Sequence, residues 1–190
     1  VSVTLAAALG GELSAEQLGC LACEIEPSDS IMFPGWAAFA YRSGAWHQPL
    51  GTGLHLPLVI LDPGEAIDTV TFNRTLDLKR VAVLESQTRE ALALLTEGAQ
   101  QRRADLLGAA SRLSATAYQQ VHHSDWVEQA LRWGDELSAC GVVRAHSGSI
   151  VGVLFDSDGA ATEAKAWLGS RFDGEVTLAH TTGGGARGGG

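Results

Sequence analysis

The first stretch of helical spacing lies near the start of the sequence. Residues 1–9, VSVTLAAAL, are mostly apolar and are expected to form the rear of a helix that stops at the glycine pair after them. A second helix is predicted after Ser14, because Gln17 follows three residues later and apolar residues continue at intervals of three and four. Pro27 is expected to end this second helix.

Helical spacing returns in the middle of the chain. Apolar residues recur with the helical period over residues 83–120, and Gly98 is predicted to divide this stretch into two helices. Asp125 and Glu128 resemble another capping pair, and the helix that they start is expected to stop at Gly141.

Strand-like runs lie between these helices. WAAFAY and AWHQPL flank residues 42–44 and predict a hairpin. LHLPLVILD, which ends in DPG, predicts a buried strand, and residues 65–80 after it are predicted to be a polar connection without periodicity. Residues 143–155, VRAHSGSIVGVLF, predict a strand with a polar entry. A helix is expected from residues 158–159 onward, and EVTLAHT is predicted to be the last strand.

The order of these elements predicts the fold class. After residue 56 the order is strand, helices, strand, helix, strand, which favours an α+β fold with helices on one face of a mostly antiparallel sheet. A break at residues 51–53 divides residues 1–53 from a second domain at residues 54–182. The glycine-rich residues 183–190 are predicted to be a flexible tail.

Composition narrows the classes of function. The chain has 190 residues, of which 45% are hydrophobic, and a net charge of -9. This charge argues against binding along a nucleic-acid backbone, which requires a basic surface. Three cysteines are too few for a disulfide scaffold and favour a reducing compartment such as the cytoplasm. No apolar run approaches the roughly 20 residues that span a bilayer.

Asp29 is the first candidate for chemistry. It lies between Ser28 and Ser30, just after the proline-terminated helix. A carboxylate held by neighbouring hydroxyl groups is suited to act as a general base or to orient a substrate. The alternative is a local turn in which these side chains bind the backbone. The residues alone leave both interpretations open.

The stretch AHSGSIVG is the second candidate. Gly148 allows a ligand to approach the backbone closely, and Ser147 and Ser149 offer hydroxyl groups on a turn that could face an anion or a substrate. A β-bulge with a positive φ at the glycine is the alternative. His146 is a candidate base or ligand, or a residue that only packs.

Other residues give weaker signals. Cys20 and Cys23 lie inside a predicted helix and lack the further ligands that a zinc site requires, so a metal or redox role is not favoured. The pair His122 and His123 is expected to be exposed, with no carboxylates to complete a site. The tryptophans are interpreted as core or interface residues.

Two stretches of the sequence resemble a known family. IEPSDSIMF and GVVRAHSGSIVGVLFD are similar to the corresponding segments of L-threonine kinases in the GHMP kinase superfamily, and TLAHTTGGG is similar to the closing strand and glycine turn of that family. The resemblance covers nearly the whole chain. It implies a GHMP kinase-like fold, with part of an N-terminal domain followed by a ferredoxin-like C-terminal domain.

The resemblance also implies roles for the candidate residues. Asp29 matches an aspartate that lies near the substrate hydroxyl group in many members of the superfamily, with Ser28 and Ser30 beside it. The side on which threonine binds would be lined by residues of the second stretch: His146, Ser147, Gly148 and Ser149. Both stretches are therefore expected to share one crevice.

The sequence departs from the family in two respects. The glycine-rich phosphate-binding loop that would hold ATP is absent, and by resemblance Val1 falls just after it, so a truncated chain with weak ATP affinity is expected. No cofactor-binding or metal-binding residue can therefore be named for ATP and Mg²⁺. Arg144 replaces an expected neutral residue. It is interpreted as solvated, with contact to a phosphate or carboxylate as the alternative.

The resemblance implies a kinase that phosphorylates the side-chain hydroxyl group of L-threonine for the cobalamin nucleotide-loop linker, a small-molecule enzyme without nucleic-acid or membrane partners. The alternatives are another GHMP hydroxyl kinase, such as a homoserine kinase, and a non-catalytic ferredoxin-like module that binds a metabolite.

Overall fold

The structure, a computed structural model, describes residues 13–25 and 27–183. These residues form two compact units. The first includes residues 13–54 and 182–183, and the second is His55–Thr181. The predicted helix at residues 1–9 and the tail at residues 184–190 lie outside the described residues. Within the described ranges, no helix combines the length and apolar character needed to cross a membrane.

The first unit begins with helix α1, Ala15–Ile25. Its predicted capping box is confirmed. The amide of Ser14 donates to Gln17 Oε1 at 2.8 Å, and the amide of Gln17 donates to Ser14 Oγ at 3.3 Å. One face of α1 buries Leu18 and Ala22 in a small core that also contains Met32 and Phe33.

A two-stranded antiparallel sheet completes the described part of this unit. Strand β1, Trp36–Phe39, pairs with β2, His47–Gly51, which confirms the predicted hairpin. Gly44 in the turn has a φ of 66°, in the left-handed region. A Cβ at this position would lie 2.7 Å from the Cα of Cys20, so the turn packs too closely on α1 for any larger residue.

The second unit is built on a four-stranded sheet. Its strands are β3, Pro57–Asp62; β4, Gly141–Arg144; β5, Val151–Leu154; and β6, Glu175–His180. They lie in the order β4-β5-β3-β6 and every adjacent pair is antiparallel. The buried strand predicted before DPG is β3, one of the two central strands, and the predicted last strand is β6.

Helices connect these strands. Between β3 and β4 lie α2, Thr69–Thr75; α3, Leu78–Val83; α4, Glu85–Gln101; α5, Ala104–Tyr118; and α6, Asp125–Glu136. Helix α7, Asp158–Gly169, connects β5 to β6 as predicted. Helical crossings between the first and second strands, and between the third and fourth, give the ferredoxin-like arrangement. The expected α+β fold is confirmed.

Alternation along β3 places the core of this unit. Val59 and Leu61 are buried, whereas Leu58 and Ile60 are only partly buried. Val59 is fully buried against α6 and α7, whose inward faces contribute buried residues to the same core: Val127, Ala130, Trp133, Ala161, Ala164 and Leu168. Each fully buried Val or Leu contributes about 1.5–3 kcal/mol relative to an exposed one.

Residues 65–80 are not the irregular connection that the sequence predicts. They contain α2 and the start of α3, and each helix is too short to show a helical period in its apolar residues. Aspartates begin both helices: Asp68 accepts from the amide of Thr71, and Asp77 accepts from the amide of Lys79. These two N-cap aspartates are the feature of the sequence that could have predicted the helices.

The predicted pair of helices over residues 83–120 is present, but the break is not at Gly98. Gly98 is buried inside α4, where a Cβ would lie 2.9 Å from a methyl carbon of Leu107. The break occurs at Arg102, which has a φ of 54°. Gly98 is therefore a contact point between α4 and α5, and the turn is made by a residue with no glycine-like signal.

Two predictions around α6 are wrong. Ser124, not Asp125, is the N-cap, and its hydroxyl accepts from the amide of Val127. The helix ends at Glu136 rather than at Gly141, which begins β4. Ser138 has a φ of 52° and ends the helical run without a glycine.

Residues 143–155 are also not a single strand with a polar entry. They contain the end of β4, a turn at residues 145–150, and all of β5. The polar residues form the loop of a β-hairpin, because the two apolar runs that flank it pair with one another. We refer to residues 145–150 as the β4–β5 turn.

Candidate active site

The β4–β5 turn brings together four of the predicted site residues: His146, Ser147, Gly148 and Ser149. The amide of Ala145 donates to the carbonyl of Ile150 at 2.9 Å and closes the turn. Gly148 is not among the described glycines with a positive φ, so the alternative of a glycine-dependent bulge does not hold. A Cβ there would approach the Ala145 methyl carbon at 3.1 Å, so the small side chain keeps the turn compact.

Ser149 anchors the far end of the turn. The residue is 8% exposed, and its hydroxyl donates to the backbone carbonyl of Glu65 at 3.1 Å. Glu65 in turn accepts from the indole nitrogen of Trp126 at 2.9 Å through its carboxylate. The Ser149 hydroxyl is thus already engaged in holding the loop after β3.

A cavity of about 320 Å³ separates the loop after β3 from the turn. Its lining residues come from both sides: Asp62, Gly64, Glu65, Ala66, Ile67, Ala145, Gly148, Ser149 and Ile150. Asp62 Oδ1 accepts from the amide of Gly64 at 2.8 Å, which closes the loop on itself at the end of β3. Residues of both segments therefore line an open space that is large enough for a small molecule.

His146 and Ser147 lie at the near end of the turn. His146 is exposed, and its ring lies 4.8 Å from the ring of Tyr118, centroid to centroid, with a tilt of 35°. Ser147 is half-buried. No pattern in the sequence associates Tyr118 with this turn, because Tyr118 belongs to the end of α5.

Arg144 is not the solvated residue that was expected. Its Nη1 donates to Gln119 Oε1 and to the carbonyl of His122, both at 2.9 Å. Its guanidinium carbon lies 5.0 Å from the centroid of the Tyr118 ring. Burial lowers the pKa of the Arg144 guanidinium, which nevertheless stays charged at neutral pH.

His122 is likewise not the exposed residue that was expected. Its ring packs edge-on against Phe72, with 4.8 Å between ring centroids. Burial lowers the pKa of His122, and the charge of Arg144 and the proximity of His123 add to this effect. The neutral imidazole is therefore favoured.

Carboxylates do lie beside His123, contrary to expectation. Potential ligand atoms of His123, Asp125 and Glu128 lie within 4.8 Å of one another, and all three residues are exposed. Glu128 is also paired with Arg132 at 2.8 Å. The cluster stands at the N-terminal end of α6, where the helix dipole disfavours cations, so it is a poor fit for Mg²⁺.

Asp29 belongs to the first unit, with Ser28 and Ser30. The amide of Ser28 donates to the carbonyl of Tyr41 at 2.9 Å, and the carbonyl of Ser30 accepts from the amide of Phe33 at 3.1 Å. These backbone bonds hold the segment, and the side chain of Asp29 is exposed. The catalytic and substrate-binding roles of these residues, and a crevice shared with the β4–β5 turn, remain predictions.

The two cysteines of α1 make contacts that are structural. Cys20 Sγ donates to the carbonyl of Gly44 at 3.5 Å, and Cys23 Sγ donates to the carbonyl of Tyr41 at 3.2 Å. Both thiols are free, as is that of Cys140. The spacing of the two cysteines therefore places two thiols against the β1–β2 turn.

Comparisons with known proteins show which proteins this chain resembles. No family model matches the chain. A curated L-threonine kinase of Citrobacter freundii is 25% identical over 160 residues, which cover 84% of this chain and 56% of that protein. A curated L-threonine kinase of Salmonella typhimurium is 26% identical over 155 residues, or 82% of this chain and 52% of that protein.

A solved structure has the same fold. The homoserine kinase of Cytophaga hutchinsonii superposes with a TM-score of 0.64 and 16% identity, over 93% of this chain and 61% of that one. The chain spans about half the length of the curated relatives that it matches. The resemblance inferred from the two motifs is confirmed: the chain has the fold of the GHMP kinases and is similar in sequence to L-threonine kinases over most of its length.

Proposed function

We propose that the protein carrying this chain is a hydroxyl kinase that transfers the γ-phosphoryl group of ATP to the side-chain hydroxyl group of L-threonine. The observation that carries the proposal is the similarity to named L-threonine kinases across more than four-fifths of the chain. The product, threonine phosphate, would supply the cobalamin nucleotide-loop linker, and the cytoplasm is the compartment that suits ATP and free thiols.

The reaction requires little covalent chemistry from the protein. The hydroxyl oxygen forms a bond to the γ-phosphorus, the bond from that phosphorus to the oxygen of the departing ADP breaks, and the hydroxyl proton leaves. Catalysis of this step relies on positioning and on stabilising charge. Mg²⁺, when bound with ATP, neutralises charge on the phosphate oxygens.

Asp29 is the residue that we propose binds the hydroxyl group of the substrate. Its exposed carboxylate can accept a hydrogen bond from the substrate hydroxyl and then take its proton. Ser28 and Ser30 flank it on a segment held by backbone hydrogen bonds, so the carboxylate is presented on a defined turn. These features support its role as a base or an orienting group.

The β4–β5 turn is proposed to contact the substrate. His146, Ser147 and Gly148 lie on a compact turn beside a cavity whose size suits an amino acid. Ser149 is also proposed as a substrate-site residue because it lies in the turn, although its hydroxyl is engaged with the backbone of Glu65. It would act by holding the turn, with its backbone nearest to the substrate.

The remaining parts of the enzyme are assigned by analogy with longer relatives. We assign residues 1–53 to the N-terminal domain and residues 54–182 to the C-terminal domain. We assign no described residue to ATP or to Mg²⁺.

An assay of the complete gene product tests the proposal. ATP and Mg²⁺ are incubated with threonine, serine or homoserine, and the phosphorylated amino acid is identified by mass. Phosphorylation of threonine at the highest kcat/KM is expected. A folded protein that phosphorylates none of the three substrates contradicts the kinase assignment and favours a module that only binds a metabolite.

Homoserine is the second candidate substrate, because a homoserine kinase shares the fold over nearly the whole chain. Its hydroxyl group is primary and one carbon further from the amino acid centre than that of threonine. A preference for homoserine in the same assay would keep the kinase chemistry and replace the substrate.

A further inference from the structure

A polar cluster lies at the start of the β4–β5 turn, and His146 is the only one of its members to which the proposed function assigns a role. We call it the Arg144 cluster: Arg144, Tyr118, Gln119, His122 and His146. Three of these residues come from the end of α5 or the loop after it, and two come from the β4–β5 hairpin. The cluster therefore joins two parts of the chain that the sequence keeps more than twenty residues apart.

We propose that Arg144 is a positioning residue, which fixes the β4–β5 turn by fastening its first residues to the C-terminal end of α5. The catalytic consequence of this role rests on the kinase function proposed above. The structural role does not depend on that function and can be measured separately.

Hydrogen bonds hold Arg144 against the residues that follow α5. Nη1 reaches two acceptors at 2.9 Å, the side chain of Gln119 and the backbone of His122. Gln119 is itself held in place, because its amide nitrogen donates to the carbonyl of Ser124 and its oxygen accepts from the amide of Ser124. Ser124 is the N-cap of α6, so Arg144 is fastened to a point where two helices are already joined.

Contacts with the Tyr118 ring also hold the start of the turn. The Tyr118 ring lies 5.0 Å from the guanidinium carbon of Arg144 and 4.8 Å from the centroid of the His146 ring. One ring therefore contacts the residues on both sides of Ala145. Such contacts are directional, which restricts the angle at which the chain leaves β4.

The two ends of the turn are held by different means. The Arg144 cluster holds the first end, and the hydrogen bond from Ser149 to the carbonyl of Glu65 holds the second. Ser147 and Gly148 lie between these anchors. Loss of the first anchor should let them shift relative to the cavity while the second anchor and strand β5 remain in place.

Arginine suits this site because Nη1 donates to both acceptors while the flat face of the guanidinium group lies against the Tyr118 ring. Lysine keeps the positive charge and can also donate from a single nitrogen, but it lacks the planar group that stacks on the Tyr118 ring. Half-burial also limits the water that could replace a lost bond. Arg144→Lys is thus the sharpest variant, since it separates geometry from charge.

Hydrogen exchange of the backbone amides in this chain is the first test. In Arg144→Lys, exchange within residues 145–150 should accelerate by about tenfold, with little change in Val151–Leu154. Arg112→Lys is the matched control, because Arg112 ties α5 to Asp135 of α6 at 2.8 Å without touching the turn. Unchanged exchange in the turn, or an equal rise throughout the second unit, overturns the proposal.

Kinetics of the complete gene product are the second test. Arg144→Lys should lower kcat/KM for threonine by about 10²-fold, with kcat falling more than KM rises, whereas Arg112→Lys should keep both constants. Tyr118→Phe retains the ring and should stay near wild type, while Tyr118→Leu should resemble Arg144→Lys. An active wild type with unaffected Arg144→Lys overturns the positioning role alone; an inactive wild type contradicts the kinase function and leaves the exchange result to decide the role of Arg144.

Discussion

The hydroxyl of Ser149 donates to the backbone carbonyl of Glu65 at 3.1 Å, although the two residues lie 84 positions apart in the sequence. This bond joins the loop after the first strand of the second unit to the turn between its next two strands. Both segments line the cavity that we assign to the substrate. The site is therefore held by a polar contact as well as by the apolar core behind it.

Removal of this hydroxyl should destabilise the second unit. Ser149→Ala removes the hydrogen bond to the Glu65 carbonyl, which should lower the free energy of unfolding by about 0.5–1.5 kcal/mol. Urea denaturation measures the change. Ser114→Ala, an exposed substitution on α5, is the control and should stay within about 0.5 kcal/mol of wild type. Equal stability of the two variants would contradict a role for the bond.

Two glycine-to-alanine variants should have opposite effects. A Cβ at Gly108 would lie only 2.0 Å from the carbonyl oxygen of Cys140, so Gly108→Ala forces α5 away from β4 and should cost more than about 3 kcal/mol. A Cβ at Gly159, in the first turn of α7, meets nothing within 4 Å. Gly159→Ala should stabilise by about 0.5–1 kcal/mol because alanine favours the helix. Thermal unfolding of both variants distinguishes these outcomes, and a stable Gly108→Ala would show that the helix is not packed this closely.

The N-cap of α7 offers a test of local structure. Ser157 Oγ accepts from the amide of Ala160 at 3.4 Å. Ser157→Ala should therefore lower the free energy of unfolding by about 1 kcal/mol, whereas Ser157→Asp should retain the cap and add a favourable charge at the helix N-terminus. Parallel urea titrations give both values, and identical losses in the two variants would exclude the cap as the cause.

Stability should fall at acidic pH in part because of His122. Burial and the nearby Arg144 lower its pKa in the folded state below the value of about 6.5 expected in the unfolded chain. As the pH falls below about 6.5, the unfolded chain binds a proton before the folded chain does, so the free energy of unfolding decreases until the lower folded pKa is passed.

His122→Gln removes this difference in proton binding. The variant should lose less stability than wild type when the pH is lowered from about 7.5 to about 5.5, as measured by urea denaturation at each pH. An identical pH dependence in the two proteins would mean that the folded state does not favour the neutral imidazole.

Asp29 can be tested by a substitution that preserves its shape. If its carboxylate orients or deprotonates the substrate hydroxyl, Asp29→Asn should lower kcat of the complete gene product by about 10²–10⁴-fold. Glu24→Gln removes an exposed carboxylate of α1 in the same unit and should leave kcat unchanged. Full turnover by Asp29→Asn would remove the residue from the proposed mechanism.

Local signals carried much of the fold. The capping box at Ser14, the hairpin turn at Gly44 and the buried strand around Val59 each depend on neighbours within a few residues, and the structure contains all three elements. The short helices after β3 and the true helix breaks at Arg102 and Ser138 were missed. In the latter two, non-glycine residues adopt a left-handed conformation, which composition does not predict.

The sequence by itself determined the α+β class, most strand and helix positions, and the two motifs that relate the chain to GHMP kinases, because periodicity and turn chemistry act locally. Only the tertiary structure decided that the polar AHSGS stretch is a hairpin turn, and that Arg144 is held against Tyr118 rather than solvated. Those outcomes depend on which strands pair and on which helix end packs beside them. Such contacts join residues from distant parts of the chain, and no local pattern encodes them.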